Sequence, residues 1–230
     1  MIIGHVGARK GSKGVTGKNF RDMLGKPLID WSLDQLLAHP DVDHVVVSTD
    51  DPQIYGHAVA KGCLDMGLRP ARLATDTAAK WNVWQHALAK AEELTGMVDV
   101  FIDLDCTSPL RTVEDIDGAL NLFLHERPDM VMSCTEARKN PYFNLLEPDE
   151  DGYLRVSKPI ADRVVARQQA PVVWEHGSIY VVDPSYLKSA TGLIQGRVLP
   201  YPMPPERCMD IDTELDFKLV EILMAERQDG

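Results

Sequence analysis

An α/β fold built on a mostly parallel sheet is what this chain of 230 residues predicts, and three observations predict it. Short apolar, β-branched runs alternate with longer stretches of helical period, the pattern of βαβ units. Hydrophobic residues make up 44% of the chain, enough to bury the core of one large domain. Glycines and cations follow directly on the first apolar run, at the position where such sheets present their ligands.

Ile2 to Val6, His44 to Ser48, Val98 to Leu104 and Met130 to Ser133 have the composition of buried strands, and Gly177 to Asp183 reads as another. Between them, Ile29, Leu33, Leu36 and Leu37 recur at helical spacing, as do Val113, Ile116, Leu120, Phe123 and Leu124; both stripes are expected to face the core. A last helix starts at Asp212-Thr213-Glu214-Leu215-Asp216 with Thr213 as cap, and Leu215, Leu219, Ile222 and Leu223 form its apolar set. Residues 136–171 differ: Pro141, Pro148, Pro159 and the run Asp149-Glu150-Asp151-Gly152 break any long period. An inserted arm and an ordinary surface excursion fit that stretch equally. With no internal repeat in view, residues 1–230 read as a single domain carrying 136–171 within it.

The formal net charge is -11, which argues against a general nucleic-acid surface, because phosphate backbones are bound through broad basic patches. No apolar run approaches the roughly 20 residues that span a bilayer, and Met1 to Val6 passes straight into glycines and cations, so a soluble cytoplasmic protein without membrane or nucleic-acid partners is expected. Cys63, Cys106, Cys134 and Cys208 form no CxxC pair and read as reduced thiols in the core or near a site. The seven histidines show no HExxH spacing, which argues against a zinc hydrolase.

Against that acidic background, five Lys or Arg and no acid lie between Gly7 and Arg21. The glycines at 4, 7, 11, 14 and 17 match neither GxGxxG nor GxxxxGK[ST], so the two common nucleotide fingerprints fail. The physical content remains: glycines let backbone amides approach phosphate oxygens, and Arg9, Lys13 and Lys18 can neutralise a triphosphate. In Asp210-Ile211-Asp212, an extended backbone would point both carboxylates the same way, a pair suited to magnesium together with substrate phosphates; a cap and a solvated acid is the plainer alternative. Ser48-Thr49-Asp50-Asp51 and Asp105-Cys106-Thr107-Ser108-Pro109-Leu110-Arg111 each end a strand, where either ligand binding or turn chemistry would use them. Arg167-Gln168-Gln169 and Trp174-Glu175-His176-Gly177-Ser178 place polar groups just ahead of the later strand.

Taken in order, these segments resemble the acylneuraminate (nonulosonate) cytidylyltransferase family along nearly the whole chain. The family pattern ARxGSKGxxxKN is met by Ala8, Arg9, Gly11, Ser12, Lys13, Gly14, Lys18 and Asn19. Gly25-Lys26-Pro27-Leu28, the run at 48–51, Arg69-Pro70 with Leu73-Ala74-Thr75-Asp76, Thr107 to Arg111, and Asp210-Ile211-Asp212-Thr213 are similar to further family blocks. The resemblance implies a three-layer α/β/α, Rossmann-like nucleotidyltransferase fold whose protruding 136–171 excursion forms a homodimer. It also implies a magnesium-dependent attack of a 2-keto sugar acid on the α-phosphate of CTP, giving a CMP-sugar and pyrophosphate. Arg9, Lys13, Lys18, Asp210 and Asp212 would then be catalytic, with Asp210 and Asp212 holding Mg2+. Ala8, Gly11, Ser12, Asn19, Arg69 and Asp76 would complete the nucleotide site, with Arg69 near the cytosine. Asp105, Thr107, Ser108, Arg111, Arg167, Gln168 and His176 would meet the acceptor.

The chain departs from the family pattern at informative places. Relatives read LQPTSPLR where this chain has Asp105, so a neutral amide has become an acid. Next to a carboxylated substrate that acid should repel unless it is protonated, metal-bound or paired with a cationic substituent on the sugar. A serine pair of relatives is Ala79-Lys80 here, and an asparagine is His176. Another sugar acid or base, as in a CMP-Kdo synthetase-like or GTP-dependent enzyme, is the alternative within the class, and a non-catalytic nucleotide-binding protein is the alternative outside it. The general base stays open between Asp105, Asp212 and solvent.

Overall fold

The structure is a computed structural model that describes residues 1–11, 14–160 and 164–229, with Gln228 and Asp229 described by backbone only. The strands are β1 (Ile2–Gly7), β2 (Asp22–Met23), β3 (Lys26–Pro27), β4 (His44–Ser48), β5 (Val100–Asp105), β6 (Met130–Glu136), β7 (Leu146–Pro148), β8 (Leu154–Val156), β9 (Trp174–Val182) and β10 (Val198–Pro202). The helices are α1 (Leu28–Ala38), α2 (Pro52–Ala60), α3 (Lys80–Thr95), α4 (Val113–Glu126), α5 (Pro184–Ser189) and α6 (Glu214–Asp229). Six strands make one sheet in the order β10-β6-β9-β5-β1-β4, and all run parallel except β9, which pairs antiparallel with both β5 and β6.

Alternation along the strands sends side chains to two separate cores, so the fold has three layers. Val6, Ile102, Leu104, Ile179 and Val181 pack with α1, α4 and α6 on one face. Ile3, Val46, Phe101, Met132 and Val182 pack with Trp81, Trp84 and Leu88 of α3 on the other. This is the Rossmann-like α/β/α architecture expected. It places the ends of β1, β4 and β5 along one edge, from which the glycine loop, the run at 48–51 and the loop after β5 spring.

Local signals explain most boundaries. Thr112 and Asp115 form a reciprocal capping box at the start of α4. Asp51 caps α2 by accepting from Gln53 N at 2.9 Å, with Pro52 at the first helical position. Asp216 and Thr213 exchange bonds at the start of α6, as the proposed Thr213 cap requires. The core face of α6 differs from the expected one: Phe217, Val220 and Met224 are buried, whereas Leu215 and Ile222 are 64% and 55% exposed. The cap fixes where the helix starts, and Arg21, 4.1 Å over the Phe217 ring, fixes which side faces inward. Leu37, Val113 and Leu124 likewise sit outside the cores that claim the rest of their stripes. All four cysteines are free. No helix among the described residues is long and apolar enough to cross a membrane.

Within 136–171, β7 and β8 form a hairpin that carries Leu146, Tyr153 and Leu154 exposed. The chain leaves the sheet at Glu136 and returns to it at Trp174, so this stretch is an excursion between two neighbouring strands of the sheet.

Candidate active site

Three loops meet over the edge of the sheet. The glycine loop after β1 passes so close to the segment before α6 that a Cβ on Gly14 would lie 1.9 Å from the Asp212 carbonyl oxygen. Lys18, only 11% exposed, donates from Nζ to the Ile211 carbonyl and stands 3.9 Å from Asp212 Oδ1. Ile211 N in turn donates to the Thr107 carbonyl at 2.9 Å, and Ser108 Oγ to Asp210 Oδ1 at 3.4 Å, which ties in the loop after β5. Cations and carboxylates some 190 residues apart in sequence are thus fixed side by side. Gly17 has φ 64°, the left-handed region that glycine enters without strain, and it turns the chain into Lys18 and Asn19.

The electrostatics of that meeting are uneven. Asp210 is exposed as a residue, yet its carboxylate stands among protein atoms; this burial, with Asp105 and Asp212 nearby, raises its pKa against the pull of the Thr107 hydroxyl and Lys18. An oxygen-donor pair with a surplus of negative charge fits a hard cation, and Mg2+ takes only one or two carboxylates, with phosphates and water supplying the rest. Asp210 and Asp212 are therefore the residues that would hold it. The one convergent group of three His, Cys, Asp or Glu among the described residues is elsewhere, at His39, Asp41 and Asp117. There His39 Nε2 lies 3.0 Å from Asp117 Oδ1 on α4, while Nδ1 accepts from Asp41 N in the turn after α1, so the group serves the packing at the end of α1.

Beside the glycine loop a cavity of about 340 Å³ opens, lined among others by Arg9, Lys18, Arg69, Lys80, Trp84 and Asp105. Its floor includes His5 and Asp103, part of a polar rung in which His5, Asp103 and Tyr180 stand opposite one another on β1, β5 and β9. The next rung, Ile3, Phe101 and Val182, is apolar. His5 Nδ1 is 2.5 Å from Asp103 Oδ1. Lys80, first residue of α3, reaches in with Nζ 2.9 Å from Asp103 Oδ2 and 2.5 Å from Asp105 Oδ1, 4.0 Å above the Tyr180 ring. Asp105 Oδ2 accepts from Ser178 N at 3.1 Å. Ser178 pays for that contact with φ 89°, at a bulge in β9 that the Ser133 hydroxyl bridges by accepting from Ile179 N at 2.9 Å.

This network settles the charge left open at residue 105. Burial alone would push the Asp103 carboxyl up and the Lys80 ammonium down, but each holds the other charged: Asp103 lies at about 2, and the two carboxylates keep Lys80 above the ordinary lysine value. Asp105 is paired with a cation of the protein itself. Cys106, which also lines the cavity, is pushed by burial up to about 12 and stays a neutral thiol.

The other expected site residues divide clearly. Arg9 lines the cavity and pairs with Asp76, while Asn19 Nδ2 braces the loop by donating to the Arg9 carbonyl at 3.0 Å. Ala8 is buried, with its N donating to the Ser48 carbonyl at 3.0 Å. Gly11 lines the cavity; Ser12 and Lys13 lie outside the described residues. Arg69 borders the cavity, but its guanidinium is spent on Ser48 and the Leu73 carbonyl, which makes it a brace for the end of β4. Arg111 needs a correction: it stands beneath the site, 2% exposed, donating to the carbonyls of Asp105 and Ser108 at 2.8 and 2.6 Å and to Ser178 Oγ at 3.2 Å. Burial lowers it to about 10, still cationic at neutral pH, and it acts as a strut under the loop after β5, outside the lining of the cavity. Asp50 and Asp51 serve turn and cap, Asp50 accepting from Lys10 N at 2.8 Å. Arg167 and Gln168 are exposed on the excursion, with Arg167 donating to the Ala137 carbonyl at 3.0 Å; they do not line the cavity. His176 is also exposed, its Nδ1 3.1 Å from the Tyr180 hydroxyl, so it joins the rung from outside.

Comparison with known proteins decides the family. A family profile described as cytidylyltransferase matches residues 3–145. The chain belongs to the cytidylyltransferase family. Its relatives include the post-translational flagellin modification protein B of Campylobacter coli, 36% identical over 228 residues covering 98% of this chain and 96% of that protein. A CMP-N,N'-diacetyllegionaminic acid synthase of Campylobacter jejuni is 34% identical, with 97% and 95% covered. An N-acylneuraminate cytidylyltransferase of Escherichia coli is 30% identical over 95% of this chain and 51% of its own length. Among solved structures, a CMP:2-keto-3-deoxy-manno-octonic acid synthetase complexed with CTP shares the fold with a TM-score of 0.70 at 18% identity, covering 98% of this chain and 99% of that one. The protein is thus a nucleotidyltransferase enzyme.

His5, Asp103 and Tyr180 of this cytidylyltransferase escaped the sequence reading, although a signal existed. A histidine inside Ile2–Val6 and an aspartate inside Val98–Leu104 contradict the buried-strand pattern around them, and such local conflicts mark functional sites. Because Gly14 has no room for a Cβ, Gly14→Ala must displace the loop from Asp212. We expect turnover to fall about 100-fold, the cost of roughly 1 Å of misplacement, with the circular dichroism spectrum unchanged; unimpaired kinetics would contradict the loop contact.

Proposed function

We propose that this cytidylyltransferase activates a 2-keto sugar acid of the nonulosonic type with CTP, giving a CMP-sugar and pyrophosphate. The observation that carries the proposal is the seating of Gly14 and Lys18 against Ile211 and Asp212, which joins a phosphate cradle to a carboxylate pair. The names of the Campylobacter and Escherichia relatives support the acceptor class. In the reaction the anomeric hydroxyl oxygen bonds to the α-phosphorus, the bond to the β-phosphate oxygen breaks, and the hydroxyl proton passes to a base.

Such transfer needs positioning and charge stabilisation more than a protein nucleophile. Lys18 and Arg9 would face the triphosphate, Arg9 exchanging Asp76 for phosphate oxygens, and the loop amides would hold the phosphates in line. Bound Mg2+ would neutralise phosphate charge at Asp210 and Asp212. Asp105 is a poor base in this scheme, since Lys80 and Ser178 N hold its two oxygens; Asp212, 80% exposed, and solvent remain for the proton. The exposed Leu146, Tyr153 and Leu154 of the hairpin would join two copies, and sedimentation of the unaltered chain should give a dimer; a monomer at micromolar concentration would refute that.

The test of the reaction is pyrophosphate release from CTP across a panel of 2-keto sugar acids, with GTP and UTP as controls. Turnover should require CTP and a sugar acid together. Lys18→Ala should lower kcat about 100-fold, roughly 3 kcal/mol for one lost charge-stabilising donor; near wild-type kinetics would remove Lys18 from the phosphate role. Asp210→Asn should shift the magnesium titration of the rate to about tenfold higher concentration while the fold persists, and an unmoved titration would displace the metal from this pair.

A further inference from the structure

Lys80 sits where a lysine is least expected. It opens α3, where the helix dipole favours anions, and Ala79 before it offers no cap. Its ammonium is nevertheless held by Asp103 and Asp105 and by the faces of Tyr180 and Trp84, at 4.0 and 4.9 Å. Both Asp105 oxygens are engaged, one by Lys80 and one by Ser178 N, and Asp103 is engaged by Lys80 and His5. Every oxygen of the two acids thus already has a donor within the protein, and their charge is met by Lys80 before any substrate arrives.

The topology says which substrate would meet them. The glycine loop follows β1, so a triphosphate held there would lie over that strand; Lys80 and Asp105 line the cavity from the side of β5, toward β9, on the half left for the acceptor. We propose that Lys80 takes the place a substrate ammonium would otherwise occupy between Asp103 and Asp105, so that this site selects acceptors whose substituent there is uncharged, a hydroxyl or an acylamino group, over those bearing a free amine. The selection is by exclusion: an incoming ammonium finds a like charge and no free carboxylate. The inference rests on the cytidylyltransfer reading and adds the class of acceptor. Lys80 is a positioning residue, acting on substrate through Asp105.

The experiment uses the full chain, CTP, and pairs of 2-keto sugar acids that differ only in whether one amino group is free or acetylated, with pyrophosphate release as readout. The unaltered chain should prefer the acetylated partner about tenfold or more in kcat/KM. Lys80→Ala should lose about 100-fold with the acetylated acceptor, invert the preference toward the free amine, recover in part with added ethylammonium, and keep its KM for CTP. Asp105→Asn, which leaves Lys80 paired with Asp103 and guards against misfolding of the lysine variant, should widen the preference against the amine. An acetyl-to-amine ratio unchanged in both variants, or a change confined to the KM for CTP, would overturn the inference alone. Absence of turnover by the unaltered chain with every acceptor would overturn the cytidylyltransfer reading beneath it.

Discussion

The site depends on one backbone contact, the seating of the Gly14 region against the Asp212 carbonyl. Without it the glycine loop would be a basic flap on an acidic protein, and Asp210 and Asp212 would be two acids ahead of a helix. With it, Lys18 is tethered to Ile211, Ile211 to Thr107, and the loops after β1 and β5 share one frame with the start of α6. Each of these tethers ends on a backbone carbonyl. The acceptors of the frame are thus main-chain carbonyls, which leaves the carboxylates of Asp210 and Asp212 available to a ligand.

Charge is handled in two ways on either side of the cavity. Over β1, cations and carboxylates are adjacent but incompletely matched: Lys18 is 3.9 Å from Asp212, and Asp210 is crowded enough by burial and by other acids to have a raised pKa. Such a surplus is what the proposed Mg2+ and polyphosphate would complete. Over β5 and β9 the matching is closed, with Lys80 between Asp103 and Asp105, and Arg111 beneath holding the carbonyls of the same loop. Asp103 ionises at about 2 because it never lacks a partner. One half of the site is poised to receive charge, and the other half is already neutralised.

Five of the six strands of the main sheet were legible as short apolar runs, and helices α1 and α4 by their period; β10 was not, because Pro200 and Pro202 break the look of a strand at the sheet's edge. Helix α3 was not, since its apolar residues include Trp81 and Trp84 and its start has no capping side chain to announce it. The reversed direction of β9 was also hidden, because pattern carries no sign of direction. In the site, the loop and the Asp210–Asp212 pair were visible as local spacing, whereas the roles of Arg69 and Arg111 were not: a guanidinium spent on buried carbonyls looks the same in sequence as one aimed at a ligand. The acid at 105 looked like a liability until Lys80, 25 residues earlier, proved to be its partner.

The central claim is that the glycine loop and the 210–212 segment form one clamp for a metal-bound triphosphate. Calorimetric titration of the full chain with CTP and with CMP, each in Mg2+ and in chelator, tests it most directly. CTP in Mg2+ should bind about tenfold or more tighter than CTP in chelator and than CMP in either buffer, about 1.4 kcal/mol per factor of ten. CMP binding as tightly as CTP, with no effect of the chelator, would contradict the clamp.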